Sequence, residues 1–112
     1  MASLEQCLSA LETVVGGLAA QPAARGLDRT VSCRLPDLGQ VLHGRLVKSR
    51  VQDLRAAPEA TALPRADIRL TMTSDDLVAL TDGQLAFGTA WAAGRVRLEA
   101  GLRDMLRLRS LI

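Results

Sequence analysis

The sequence predicts an α+β domain: a five-stranded, largely antiparallel sheet covered on one face by helices, in the order α-β-β-β-β-α-α-β-α. Three observations predict it. Apolar residues near the start recur at spacings of four and three, the period of a helix that buries one stripe. From Leu27 the period changes to two, and it returns to two at Ala66 and again at Val96, which is strand alternation. Turn chemistry separates the first strands at hairpin distance, so strands group together and helices gather at both ends.

Ser3 and Gln6 form a capping-box pattern ahead of Leu4, Leu8, Leu11, Val15 and Leu18, which share one helical stripe. Gly16-Gly17 weakens the last turn, and Pro22 with Gly26 ends it. This face is expected to cover the sheet. In the first strand Leu27, Val31, Cys33 and Leu35 point one way, and Thr30, Ser32 and Arg34 the other. Pro36-Asp37-Leu38-Gly39 makes a turn, and residues 40–47 return as the second strand. Lys48-Ser49 leads into a third strand at 50–55, where Val51 and Leu54 have opposite parity. That mismatch predicts a bulge or a short edge strand. Residues 56–65, with Pro58 and Pro64, read as an irregular loop. Ala66–Met72 then alternates cleanly, with Ile68, Leu70 and Met72 inside.

Thr73 with Asp76 predicts the N-cap of a helix over 74–82, presenting Leu77, Val78 and Leu80 and closing at Gly83. A helix over 85–93 carries Phe87 and Trp91, the only aromatics, four apart and therefore on one face, and stops at Gly94. Val96 and Leu98 alternate with Arg95, Arg97 and Glu99 in a fifth strand. After Ala100-Gly101 a final helix runs to the end. On it Leu102, Met105, Leu106, Leu108 and Ile112 fill an arc of about 160°, whereas a helix lying on one side of a sheet needs about 100°. Leu111 lies almost opposite. The surplus implies apolar material on two sides: the core together with a partner chain, or the core together with a bound ligand. The small residues Gly88, Ala90, Ala92 and Ala93 around the two aromatics fit either a closely packed interior or one with room left in it.

The 112 residues are read as a single domain, 1–112. A composition of 48% hydrophobic and 23% charged residues is that of a folded domain with no disorder signature. A net charge of +2, dispersed and with almost no aromatics, argues against a nucleic-acid partner. Five arginines meet two acids between residues 95 and 112. Cys7 and Cys33 read as small apolar residues in a reducing compartment. The first residues hold acids inside their apolar stretch and no basic flank, so no signal peptide is expected. No apolar run approaches bilayer-spanning length, so no stable membrane insertion is expected either. The expected location is cytoplasmic.

Catalytic and metal chemistry find little footing. His43 is the only histidine, has no ligand company and lies on the solvent side of its strand. Asp75-Asp76 occupies the first turn of a helix, where the macrodipole favours anions. No nucleophile elbow or phosphate loop is present. No catalytic residue, cofactor or metal is expected.

The series ADIRLTMTSDDLVALTDGQL and AFGTAWAAGRVRLEAGLRDMLRL resembles the sterol carrier protein 2 family. The resemblance rests on the strand from Asp67 to Met72, the Asp-rich helix from Ser74 to Gly83, and the aromatic-bearing helix after it. It extends through Gly94-Arg95-Val96-Arg97-Leu98 and a Leu/Met-rich helix from Leu102 to Leu108. It covers residues 66–108. It implies an apolar tunnel between sheet and helices that takes an acyl chain, acyl-CoA or sterol, and it implies carriage without catalysis. By position Leu77, Leu80, Phe87, Trp91, Leu102, Met105 and Leu106 would line that tunnel. Arg95, Arg97, Arg103 and Arg107 read by default as a solvated face; near the mouth of such a tunnel they would instead meet an anionic head group. The competing expectation is an interaction module with a filled interior, forming a homodimer through the C-terminal helix.

Overall fold

Ser3 and Gln6 close a reciprocal capping box. The Ser3 N–H donates to Gln6 Oε1 at 2.9 Å, and the Gln6 N–H donates to Ser3 Oγ at 3.2 Å. They start helix α1, Leu4–Ala19, in a computed structural model that describes residues 2–19, 28–47, 50–61 and 63–109. Expectations placed on Pro22, Gly26, Leu27, Lys48-Ser49 and Leu111-Ile112 lie outside these residues, as do the side chains of Leu18 and Leu108.

Strands β1 (Arg29–Leu35), β2 (Gln40–Val47), β3 (Arg50–Pro58) and β4 (Ile68–Thr71) follow. Helices α2 (Ser74–Thr81) and α3 (Phe87–Ala92), strand β5 (Arg97–Ala100) and helix α4 (Leu102–Arg109) complete the expected order. The sheet runs β3-β2-β1-β4-β5. Three of its four pairings are antiparallel, and β1 pairs with β4 in parallel, Cys33 opposite Leu70. Alternation puts Val31, Cys33, Leu35, Leu42, Leu46, Ile68, Leu70 and Leu98 on one face. There they pack with Cys7, Leu11 and Val15 of α1 in a single core.

The parity conflict in β3 resolves as a bulge. His43 pairs with Arg55 but Arg45 pairs with Gln52, so β3 spends one residue more than β2. Asp53 takes up the excess with φ of 54°, a left-handed conformation that Asp tolerates better than most residues. Val51 and Leu54 thereby converge over Gly44. A Cβ built there would lie 2.9 Å from Val51 Cγ1, 3.3 Å from the Gln52 carbonyl and 3.3 Å from Leu54 Cδ1. The strand also extends beyond expectation: Ala56, Ala57 and Pro58, read as loop, continue the pairing to Val41 and Gln40. Proline is tolerated because β3 is an edge strand.

Two polar links fix the remaining elements. Asp37, in the β1–β2 turn, accepts the Ser74 N–H at 3.0 Å and the Ser74 hydroxyl at 2.5 Å, while the Ala2 N–H donates to Ser74 Oγ at 3.1 Å. Thr73 caps α2 through the Asp76 N–H at 3.2 Å. On the outer face Thr30 and Asp67 exchange bonds, Asp67 N–H to Thr30 Oγ1 at 2.9 Å and Thr30 N–H to Asp67 Oδ2 at 3.0 Å, which sets β4 beside β1.

Candidate functional site

The helix layer leaves open space where α1, α2 and α3 meet. Helix α2 ends at Asp82, whose N–H donates to Val78, and Gly83 reverses the chain with φ of 75°. The Leu85 N–H then returns to the Ala79 carbonyl at 3.2 Å, and extended Ala86 begins α3. Thr81 Oγ1 donates to the Ala10 carbonyl at 3.3 Å, tying the end of α2 to α1. Between these elements lies a groove of about 430 Å³. Val14 and Gly17 of α1, Leu80 of α2, and Leu85, Ala86 and Phe87 line it. Nothing approaches within 4 Å of a Cβ built on Gly17, so the absent side chain helps keep the groove open. Its volume lies in the range of small-molecule sites.

A second groove of about 430 Å³ is lined by Gly88, Trp91 and Ala92 of α3 and by Arg109 of α4. Phe87 and Trp91, four apart on one short helix, therefore open on different grooves. Ala90, between them, is the fully buried member of α3. Its carbonyl accepts from both the Arg95 and Val96 N–H groups, at 2.9 and 3.3 Å. A third hollow, beside Glu12, Gly16, Arg50, Val51 and Gln52, is polar along one wall.

The expected lining residues scatter across this layer. Leu77 is fully buried in the core, Leu80 and Phe87 face the first groove, and Trp91 faces the second. Met105 packs half-buried against the core, whereas Leu102 and Leu106 are turned outward, 79% and 60% exposed. The four arginines do not converge either. Arg95 is ion-paired with Asp76 at the start of α2. Arg97, opposite Thr71, belongs to the uncovered face of the sheet. Arg103 is exposed on α4 and Arg107 is half-buried there.

Sequence reading missed Val14, Gly17, Leu85, Ala86 and Arg109. Gly16-Gly17 carried the available signal, since two glycines ending an amphipathic helix leave space as well as weaken the turn.

Burial and the neighbouring Cys7 push the Cys33 thiol up to about 12, and burial also raises Cys7, so both remain neutral thiols. His43 lies between Ser32 and Arg55 on the uncovered face, away from both apolar grooves. Among the described residues no helix is long and apolar enough to cross a membrane, and no cluster of metal-ligating side chains occurs.

No protein-family model matches the chain, and no curated protein matches it. Solved structures do. Sterol carrier protein 2 like 2 from Aedes aegypti superimposes with a TM-score of 0.60 at 15% identity, over 96% of this chain and 97% of that one. A crystal structure of sterol carrier protein 2 gives 0.61 at 13% identity, over 96% and 84%. The palmitated form of the Aedes aegypti protein, in solution, gives 0.58 at 18% identity, over 98% and 95%. An inverting sec-alkylsulfatase from Pseudomonas sp. gives 0.55 at 22% identity over 76% of this chain, which spans only 13% of that enzyme. At such identities the likeness is one of architecture, and the architecture of this chain is the sterol carrier protein 2 fold.

Proposed function

We propose that this chain is a lipid-binding carrier domain. It holds one hydrocarbon-bearing molecule, an acyl chain, an acyl-CoA or a sterol-like ligand, in apolar space under its helix layer, and catalyses no reaction on it. The groove between α1, α2 and α3 carries the reading, because Val14, Leu80, Leu85 and Phe87 offer apolar walls that no side chain among the described residues fills. Removing a hydrocarbon chain from water there contributes about 0.8 kcal/mol per methylene. Palmitate occupies one structural neighbour, the Aedes aegypti protein described above, and a complex of Aedes aegypti sterol carrier protein 2 with palmitate has the same fold. Its two buried, free cysteines support a reducing location, the cytoplasm, for this carrier.

Denaturing mass spectrometry of the purified protein, followed by titration of the delipidated protein with palmitate, tests this. Recovered lipid and saturable one-to-one uptake are expected; a lipid-free protein that takes up neither palmitate nor acyl-CoA overturns it. The exposed Leu102 and Leu106 favour a second reading, a dimerisation module whose cavity is not used. Sedimentation showing a concentration-dependent dimer without ligand uptake would select it.

A further inference from the structure

The sheet ends in two edge strands that are built differently. The β3 edge is blunted: its bulge turns Asp53 to φ of 54°, and Pro58 brings no N–H to its end. The β5 edge, Arg97–Ala100, has neither device. It pairs with β4 from Arg97 opposite Thr71 to Ala100 opposite Ile68 without a register shift. Among the described residues its backbone makes no bond outside that ladder, so alternate N–H and C=O groups point away from the sheet. Helix α4 turns away from this edge, since Asp104 ties it to Arg29 of β1, two strands inward.

The charges on β5 select what can pair with it. Arg97 and Glu99 lie exposed on the uncovered face, while Leu98 lies under the helices. Arg97 meets no carboxylate among the described residues, and Glu99 reaches Arg69 only at 3.9 Å, with its own side chain 53% exposed. A second copy laid antiparallel against β5 is related by a two-fold axis normal to the sheet, which keeps both helix layers on one side. Opposed residues must then share a face, so the axis passes through a residue. Through Arg97 it would set arginine against arginine, and through Glu99 glutamate against glutamate, both unfavourable. Through Ala100 it would leave Arg97 and Glu99 opposite no residue of the second β5. Through Leu98 it sets Arg97 opposite the second copy's Glu99 and Glu99 opposite its Arg97, with the two Leu98 side chains together on the covered face. One register alone matches in charge and in face.

We infer that β5 is the docking edge for a second copy of this chain. The two five-stranded sheets join into one through a two-fold β5–β5 pairing centred on Leu98. Edge hydrogen bonds supply the contact, and the two Arg97–Glu99 pairs fix its register. The pairs lie on the uncovered face and the grooves in the helix layer, so this association is independent of whether the domain carries a ligand.

Sedimentation equilibrium of the full chain, with palmitate uptake read in parallel, tests it. A concentration-dependent dimer is expected. Arg97→Glu and Glu99→Arg each bring like charges together and should each weaken it about tenfold or more. An equimolar mixture of the two variants should form a heterodimer, because each presents the sign the other lacks. Both substitutions in one chain should restore the homodimer. Within its own sheet Arg97 faces only Thr71, so Arg97→Glu should leave the urea midpoint unchanged, and its loss of dimer is not unfolding. Palmitate uptake should be the same in every variant, which keeps the outcome for the dimer apart from the outcome for carriage. A protein monomeric to millimolar concentration, a dimer indifferent to Arg97→Glu, or single variants whose mixture stays monomeric overturns the inference. So does a dimer lost on Leu106→Ser and unmoved by Arg97→Glu, which would give the contact to α4.

Discussion

Asp104 of α4 accepts two bonds from the Arg29 Nε–H of β1, at 3.1 and 3.0 Å, across 75 residues of sequence. Arg29 has the parity of Val31 and Cys33, so this pair ties the terminal helix to the covered side of the sheet. It decides the rotation of α4 and hence which of its side chains are buried.

Replacing Asp104 with Ala is expected to lower stability by about 1 kcal/mol, since the pair is only partly buried. Amide exchange in α4 should accelerate more than in β1, and Arg29→Gln should give the same pattern. A double-mutant cycle tests whether the two effects are one interaction. Additive losses would show that the two side chains act independently and that this ion pair does not set the rotation of α4.

That contact also marks where the sequence stops being informative. The caps at Ser3–Gln6 and Thr73–Asp76, and the stops at Gly83 and Gly94, are local chemistry and were legible. So was the bulge, because Val51 and Leu54 cannot share a face without one. The apolar excess of α4 was legible too, but its direction was not. Periodicity gives an arc and leaves its rotation open; a carboxylate partner far away in sequence sets it. The parallel β1–β4 pairing likewise depends on Thr30 and Asp67 meeting across 37 residues. The end of β3 was missed because alanine and proline are poor strand formers that an edge position accepts. Spacing puts Phe87 and Trp91 on one face and the resemblance puts both in one tunnel, yet the six-residue helix α3 opens them on different grooves.

The Gly44–bulge contact gives a sharp stability prediction. Gly44→Ala would press a methyl group against Val51 Cγ1 and the Gln52 carbonyl, and a loss of about 1–3 kcal/mol is expected in urea denaturation. Gly44→Ala combined with Val51→Ala should recover part of it by removing the nearest atom. At the bulge itself, Asp53→Gly should be neutral or mildly stabilising. Asp53→Val, forcing a β-branched residue to positive φ, should cost about 1–2 kcal/mol.

Asp37 predicts the acid limb of the stability profile. Burial opposes its ionisation, but the bonds from the Ser74 hydroxyl and N–H outweigh burial and hold its carboxyl below the ordinary value of 3.8. The folded state thus binds this proton less readily than the unfolded chain does. The contribution is complete above the ordinary carboxylate range and is lost as pH falls through the lowered value. Asp37→Asn should lower stability near neutrality and flatten the decline below about pH 4. Parallel pH–urea profiles for wild type and variant would show no such difference if Ser74 were held by other groups.

Gly17 offers the cleanest separation of stability from ligand uptake. It lies within α1, where glycine costs roughly 0.5–1 kcal/mol relative to a good helix former. A Cβ there meets nothing within 4 Å, so no clash offsets the gain. Gly17→Leu should therefore raise the thermal midpoint by about 4 °C, while its side chain narrows the groove that Val14, Leu80 and Phe87 share. Palmitate uptake should fall in a protein that is more stable than wild type, so unfolding cannot account for the loss. Unchanged uptake in the stabilised variant would move the ligand out of this groove. Trp91→Ala and Arg109→Gln would then become the substitutions that decide whether the space between α3 and α4 holds it.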